Sequence, residues 1–174
     1  MVKKIFNFLD ENIEKYIILI SYSAMAWIIF SEVINRFVFS KQSPWSTSIP
    51  IYLFLWLTWM GCSYNTKHRS HLRFNELRER LSYNKQYLCL VADALCWYAF
   101  GGIVVYYWVD PIVLLYDNYA IVDGTNDIMQ WWFYIMTPFA WCLLLVRVTQ
   151  NLIVDTKMFR AKEPLIITTA LLQD

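Results

Sequence analysis

The stretch YLCLVADALCWYAFGGIVVYYWV, Tyr87 to Val109, holds a single charge, Asp93, in 23 residues. As a helix rising 1.5 Å per residue it reaches about 35 Å, enough to cross the ~30 Å hydrocarbon core of a bilayer. Asp110 and Pro111 close the run, and the adjacent Gly101 and Gly102 predict a close helix approach or a bend near its middle.

Three more apolar runs flank it. Tyr16 to Ser31 is uncharged and continues through Glu32 to Phe39. Ile49 to Tyr64 is uncharged and short, with Pro50 at its start, where a missing N–H suits the first turn of a helix. Ile128 to Val146 opens on Trp131 and Trp132 and contains Pro138, whose absent N–H frees a carbonyl that a neighbouring group must satisfy. The expected spans cover residues 16–39, 49–66, 85–110 and 127–150 of one membrane domain over residues 1–174, with no internal repeat and a short tail from Pro164 to Asp174. Composition agrees: 58% hydrophobic residues, 17% charged residues and a mean hydropathy of +0.35 are too apolar for a soluble domain of this size. Nine Trp and twelve Tyr suit rings that collect at the headgroup layers. The first run is long and lacks a small-x-small cleavage site, so it reads as an uncleaved anchor rather than a signal peptide.

The basic residues predict orientation. Lys3, Lys4 and Lys15 precede the first run, Arg36 and Lys41 lie at the first connection, six Lys and Arg between Lys67 and Lys85 fill the second, and Arg147, Lys157, Arg160 and Lys162 follow the last. The third connection holds none and carries Asp110, Asp117, Asp123 and Asp127. By the positive-inside rule the second connection and both termini are cytoplasmic. Within that connection Phe74, Leu77 and Leu81 recur at helical spacing among Arg73, Arg78 and Arg80, which predicts an amphipathic helix over residues 70–84 lying along the inner membrane surface, the alternative being a solvated helix packed on the protein itself. The expected fold is all-α and integral to the membrane: four transmembrane helices plus this interfacial helix, both ends inside.

Little here supports chemistry. Cys62, Cys89, Cys96 and Cys142 lie within apolar runs and read as packing residues, with no disulfide and no metal expected. His68 and His71 sit in the most basic connection, away from the membrane depth a haem or quinone anchor needs. No Ser/His/Asp grouping, Cys/His dyad or glycine-rich phosphate loop is present, so no enzyme activity and no cofactor are expected. Glu32 and Arg36 are four apart and predict a local pair at the outer end of the first span. Asp93 is expected to meet Arg80, Lys85 or water, and Arg147 to snorkel at the inner interface, touching a partner or a lipid phosphate. With so few polar groups along the spans, an accessory subunit fits better than a self-sufficient conduit.

The order of several short motifs is similar to that of the small membrane subunit, the Q or DctQ-type component, of tripartite ATP-independent periplasmic (TRAP) transporters, and the resemblance covers all four spans. Its carriers are Asn35-Arg36-Phe37-Val38-Phe39, Pro44-Trp45, Tyr52-Leu53-Phe54-Leu55-Trp56 with Gly61, His71-Leu72-Arg73-Phe74, and Pro138 with Arg147. Where members of the family often carry acidic residues after the matched tryptophan, this chain has Ser46, Thr47 and Ser48.

The resemblance implies a bacterial inner-membrane complex in which a periplasmic binding protein delivers an organic anion, of the sialic acid or C4-dicarboxylate class, to a large multispan subunit that moves it with sodium. The small subunit braces the stationary part of the large one and binds neither substrate nor sodium. Arg36, Trp45, His71, Arg73, Phe74, Leu77, Leu81 and Arg147 are the expected contacts with partner or lipid, and the acidic loop from Asp110 to Asp127 is a candidate contact for the binding protein. No nucleic acid is expected. Two alternatives stay open at this point: a stand-alone transporter using Glu32 or Asp93 as coupling carboxylate, and a membrane anchor for a redox enzyme.

Overall fold

A computed structural model describes residues 2–70, 78 and 80–165, with side chains from Asn12 onward. Among these residues the chain is helical, with one isolated antiparallel bridge between Ile121 and Met129 and no strand. The helices are α1 (Val2–Val38), α2 (Trp45–Lys67), α3 (Tyr83–Asp117), the single turn α4 (Trp131–Tyr134) and α5 (Met136–Ala161). Three helical stretches are long and apolar enough to cross a membrane: Asn12–Val38, Tyr83–Asp117 and Trp131–Ala161, which takes in α4 and α5. The 23 residues of α2 reach about 35 Å as well. Its Trp, Tyr, Ser and Thr content makes it less apolar than the other three.

The helices outrun the apolar runs that announced them. α1 begins at Val2, ahead of the uncharged run at Tyr16. α2 begins at Trp45, five residues before Pro50, and α3 passes through Pro111 to end at Asp117 rather than closing at Asp110. A proline removes one i to i−4 hydrogen bond but leaves the flanking bonds available, so a helix whose neighbours are apolar and packed can continue across it. Real termination comes from a left-handed residue: Arg69, Tyr119 and Lys162 adopt φ of 54°, 49° and 58° after α2, α3 and α5. Each is followed by an N–H reaching five residues back, Ser70 to the Asn65 carbonyl at 3.0 Å, Ala120 to Leu115 at 3.1 Å and Glu163 to Met158 at 3.0 Å. These are Schellman turns, formed here without glycine.

Packing runs in a row: α1 lies on α2, α2 on α5, and α5 on α3. The core sits where the last three meet, around Ala94, Trp141, Leu144 and Val148. The Trp141 ring lies 5.3 Å from that of Trp59 and 5.2 Å, edge-on, from Phe100. Of the three apolar spans, Trp131–Ala161 is the most enclosed and Asn12–Val38 the least. Gly101 permits the α3–α5 approach, since a Cβ there would stand 2.8 Å from Leu145 Cδ2, whereas one on Gly102 would meet nothing within 4 Å. Gly101→Ala should therefore lower stability by roughly 1 kcal/mol through overpacking, and Gly102→Ala should be neutral or slightly stabilising by easing the entropy loss of a helical glycine. Thermal unfolding in detergent separates the two, and equal losses would contradict the packing described.

The break between α4 and α5 follows from Pro138. Its missing N–H leaves the Tyr134 carbonyl without a helical donor, and Trp108 of α3 supplies one from its indole at 3.0 Å. Trp56 of α2 donates to the Phe133 carbonyl at 2.9 Å. The expectation that a neighbour satisfies the freed carbonyl is met by Trp108, and Trp56 adds a second indole at the adjoining carbonyl. Trp108→Phe should cost about 1–2 kcal/mol, the effect of stranding a buried carbonyl. Adding Pro138→Ala should recover most of it, because the restored N–H takes the tryptophan's place. A double variant no more stable than Trp108→Phe alone would show that the indole serves packing only.

Candidate functional site

The helix order brings the start of α1, the end of α2, the start of α3 and the end of α5 to one end of the bundle. There the scattered charges find one another. Glu14 of α1 is fully buried, and Arg147 of α5 reaches it with two parallel bonds, Nε to Oε1 at 2.6 Å and Nη2 to Oε2 at 3.1 Å. Lys67 Nζ stands 3.9 Å from the same carboxylate, and Arg147 Nη1 donates to Gln150 Oε1 at 2.8 Å. The flat guanidinium fork matches both carboxylate oxygens at once, which a lysine ammonium cannot do.

Further pairs tie α2 and α3 to the same helix. Arg69, just past α2, meets Asp155 at 2.7 Å and the Asn151 carbonyl at 3.2 Å, while Asn151 Nδ2 donates to the Thr66 carbonyl at 2.8 Å. From α3, Tyr87 and Thr156 share a hydrogen bond at 3.1 Å, Tyr98 and Thr149 one at 2.7 Å, and the Tyr83 hydroxyl donates to the Glu163 carbonyl at 2.8 Å. Asp93 is held by Arg78 at 2.7 Å. Between these groups lies a cavity of about 30 Å³ with Thr66, Arg69, Asp93, Asn151 and Asp155 on its polar side, room enough for one ordered water. α5 is thus the common partner of α1, α2 and α3.

The expected contact residues separate along the bundle. Arg36 is exposed in the last turn of α1, and Trp45 opens α2 at the same end. Leu81 is half-buried at the opposite end, its carbonyl accepting from Gln86 Nε2 at 3.0 Å. His71, Arg73, Phe74 and Leu77, and with them most of the expected amphipathic helix, lie outside the described residues. Arg147 does not snorkel: it is 1% exposed, because the buried Glu14 offers it a better partner than the interface does. The Glu32–Arg36 pair does not form either. Both Glu32 oxygens are buried without a hydrogen-bond partner among the described residues, while Arg36 points out. Asp93 takes Arg78 rather than Arg80 or Lys85. His68 packs against Tyr64 with ring centres 4.4 Å apart and the rings tilted, and no group of three potential metal ligands occurs among the described residues.

At the other end, the connection between α3 and α4 is ordered rather than a plain solvated loop. Val122 is 1% exposed and its N–H donates to the Ile128 carbonyl at 2.8 Å, Gln130 N–H donates to Ala120 at 2.9 Å, and Thr125 Oγ1 donates to Val122 at 2.7 Å. Gly124, at φ 79°, lies against the Pro44–Trp45 backbone. Asp110, Asp117, Asp123 and Asp127 remain exposed.

Sequence reading missed Glu14, Arg69 and Asp155 as partners. One signal was available for Glu14: residues 14, 21, 28 and 35 recur every seven along α1, and Glu14 and Ser21 are both buried on that face. A helix begun at Val2 carries the face through Glu14; one begun at Tyr16 excludes it.

Residues 25–158 match the family described as tripartite ATP-independent periplasmic transporters, DctQ component. The chain belongs to the DctQ family. DctQ proteins are transporter subunits and not enzymes, in agreement with the expectation from the sequence. Among curated relatives, a protein named isethionate TRAP transporter permease protein DctMQ, from Oleidesulfovibrio alaskensis, is 20% identical over 93% of this chain and 26% of its own length. The C4-dicarboxylate TRAP transporter small permease protein DctQ of Vibrio cholerae is 27% identical over 36% of this chain and 27% of its own. The chain therefore spans about a quarter of the length of these DctQ-related proteins. The family match takes in Arg147 and Asp155 but begins after Glu14.

Proposed function

We propose that this DctQ chain is the small membrane subunit of a TRAP transporter, a fixed frame that braces a large multispan subunit during sodium-coupled uptake of an organic anion handed over by a periplasmic binding protein. The observation that carries the reading is the buried Glu14–Arg147 pair with its companions, which lock three long helices onto α5 instead of lining a path. A pathway needs polar groups that face a cavity and exchange partners. Here the charged groups around α5 pair with one another at one end, about a cavity with room for a single water.

In this reading α1, α2, α3 and α5 each cross the bacterial inner membrane, with both chain ends cytoplasmic. The excess of Lys and Arg at the end where α1 begins and α5 finishes supports that orientation. The connection from His71 to Leu81 is the surface brace, with His71, Arg73, Phe74, Leu77 and Leu81 contacting headgroups and the large subunit, and Arg36 and Trp45 contact the partner at the outer end. Arg147 acts indirectly, by holding α1 in place. Relatives named for isethionate and for C4-dicarboxylates support an organic anion as cargo, with sialic acids in the same broad class.

Co-expression of the tagged chain with a large TRAP membrane subunit should yield a stable complex through detergent extraction and size exclusion. Purification of the tagged chain alone while that subunit is present would defeat the proposal. Anion uptake by the chain alone in liposomes would favour a stand-alone transporter, with the unpartnered Glu32 as the first residue to examine.

A further inference from the structure

Arg147, Arg69 and Arg78 all turn inward to carboxylates. Arg160 and Lys162, farther along the same polypeptide, do not: both are exposed, and among the described residues neither has an ion-pair partner. They open on a pocket of about 560 Å³ completed by Tyr83, Asn84 and Phe159. Its floor is rigid. The Tyr83 ring stacks on Phe159 with centres 5.4 Å apart, Phe159 stacks on Tyr87 at 4.1 Å, and the Tyr83 hydroxyl is held by the Glu163 carbonyl at 2.8 Å. The Lys162 backbone is fixed in its left-handed turn by its own N–H, which donates to the Phe159 carbonyl at 3.2 Å.

Depth and surroundings select the ligand. The 31 residues of Trp131–Ala161 span about 46 Å, close to the 40–45 Å of a bilayer with its headgroups, so a helix with Trp131 in one headgroup layer carries Arg160 and Lys162 into the other. Asn84, Leu88 and Leu95 follow one another at helical intervals on α3, and both leucines are exposed. A chain hanging from the pocket would run along them. Lys85 and Lys157, on the same two helices, are exposed and add positive field, against the carboxylate of Glu163.

We infer that this pocket holds the headgroup phosphate of an anionic phospholipid: Arg160 and Lys162 bind the phosphate oxygens, the Asn84 amide donates at the rim, and the Tyr83–Phe159 stack carries the glycerol side. A basic pocket between helices at headgroup depth has the chemistry for this, a free phosphate included, and the apolar track beside it selects the lipid. The inference rests on the membrane reading above and assigns to it a defined lipid site.

The test uses the full chain, with any subunit that co-purifies, in native mass spectrometry with added phosphatidylglycerol or phosphatidylcholine. Phosphatidylglycerol should be retained several-fold better, and Arg160→Ala with Lys162→Ala should bring the two to parity, while Lys41→Ala at the opposite end leaves the preference intact. An unchanged preference in the double variant overturns the site. A thermal shift with inorganic phosphate but no preference between the lipids overturns the lipid as its source. Carbonate extraction of the same membranes keeps the two readings distinguishable: a chain released by carbonate sinks the membrane reading, whereas a resistant chain without lipid preference sinks this inference alone.

Discussion

Arg147→Leu is expected to lower stability by about 3–5 kcal/mol, since removing one partner of a buried pair leaves the other as an uncompensated charge. Glu14 is completely enclosed, and its remaining cationic neighbour, Lys67, is 3.9 Å away on a flexible stem. Arg147→Lys should recover only part of the loss, because an ammonium cannot bridge both carboxylate oxygens. The decisive variant is the double replacement Glu14→Gln with Arg147→Met, which removes both charges and should be far more stable than Arg147→Leu alone. Thermal or denaturant unfolding in detergent, read as a double-mutant cycle, measures the coupling. Additive effects of the two single replacements would mean that the pair does not join α1 to α5. If the bracing proposal holds, co-purification with the large subunit should fall in step with stability, because a loosened α1 no longer presents a fixed surface.

The second large effect is expected at Gly124. A Cβ there would lie 2.6 Å from Pro44 Cβ and 2.9 Å from the Pro44 carbonyl carbon, and φ is 79°. Backbone cannot yield as a side-chain tip does, and a left-handed backbone costs an L-residue roughly 1–2 kcal/mol before any clash. Gly124→Ala should therefore release the connection from the Pro44–Trp45 turn. Faster amide exchange at Val122 and Gln130, whose N–H groups are hydrogen-bonded within the loop, would report it. Unchanged protection at both positions would contradict the docking. Trp45, an expected partner contact, should shift with the loop.

Much was legible without coordinates. Apolar runs longer than 15 residues have few destinations other than a bilayer, and the motif order from Asn35 to Arg147 pointed to the family that the match over residues 25–158 establishes. The errors share one cause. Hydropathy reports what solvent a segment prefers, while a helix ends where its backbone bonds end, and those bonds depend on caps and neighbours. Hence the helices α1 and α3 extend past the apolar runs within them, and Arg147 turns to a buried carboxylate rather than to the interface.

From the sequence alone came the all-helical character, the apolar spans and the predicted need for a donor near Pro138, because composition and a missing N–H are properties of the chain itself. The tertiary structure decided which donors answer Pro138, which charges pair and which helix the others share. Glu14 and Arg147 stand 133 positions apart, and no local spacing rule relates residues so distant. Their meeting depends on the order of helices in the row, and that order is set by packing around Trp141 and by the close approach at Gly101.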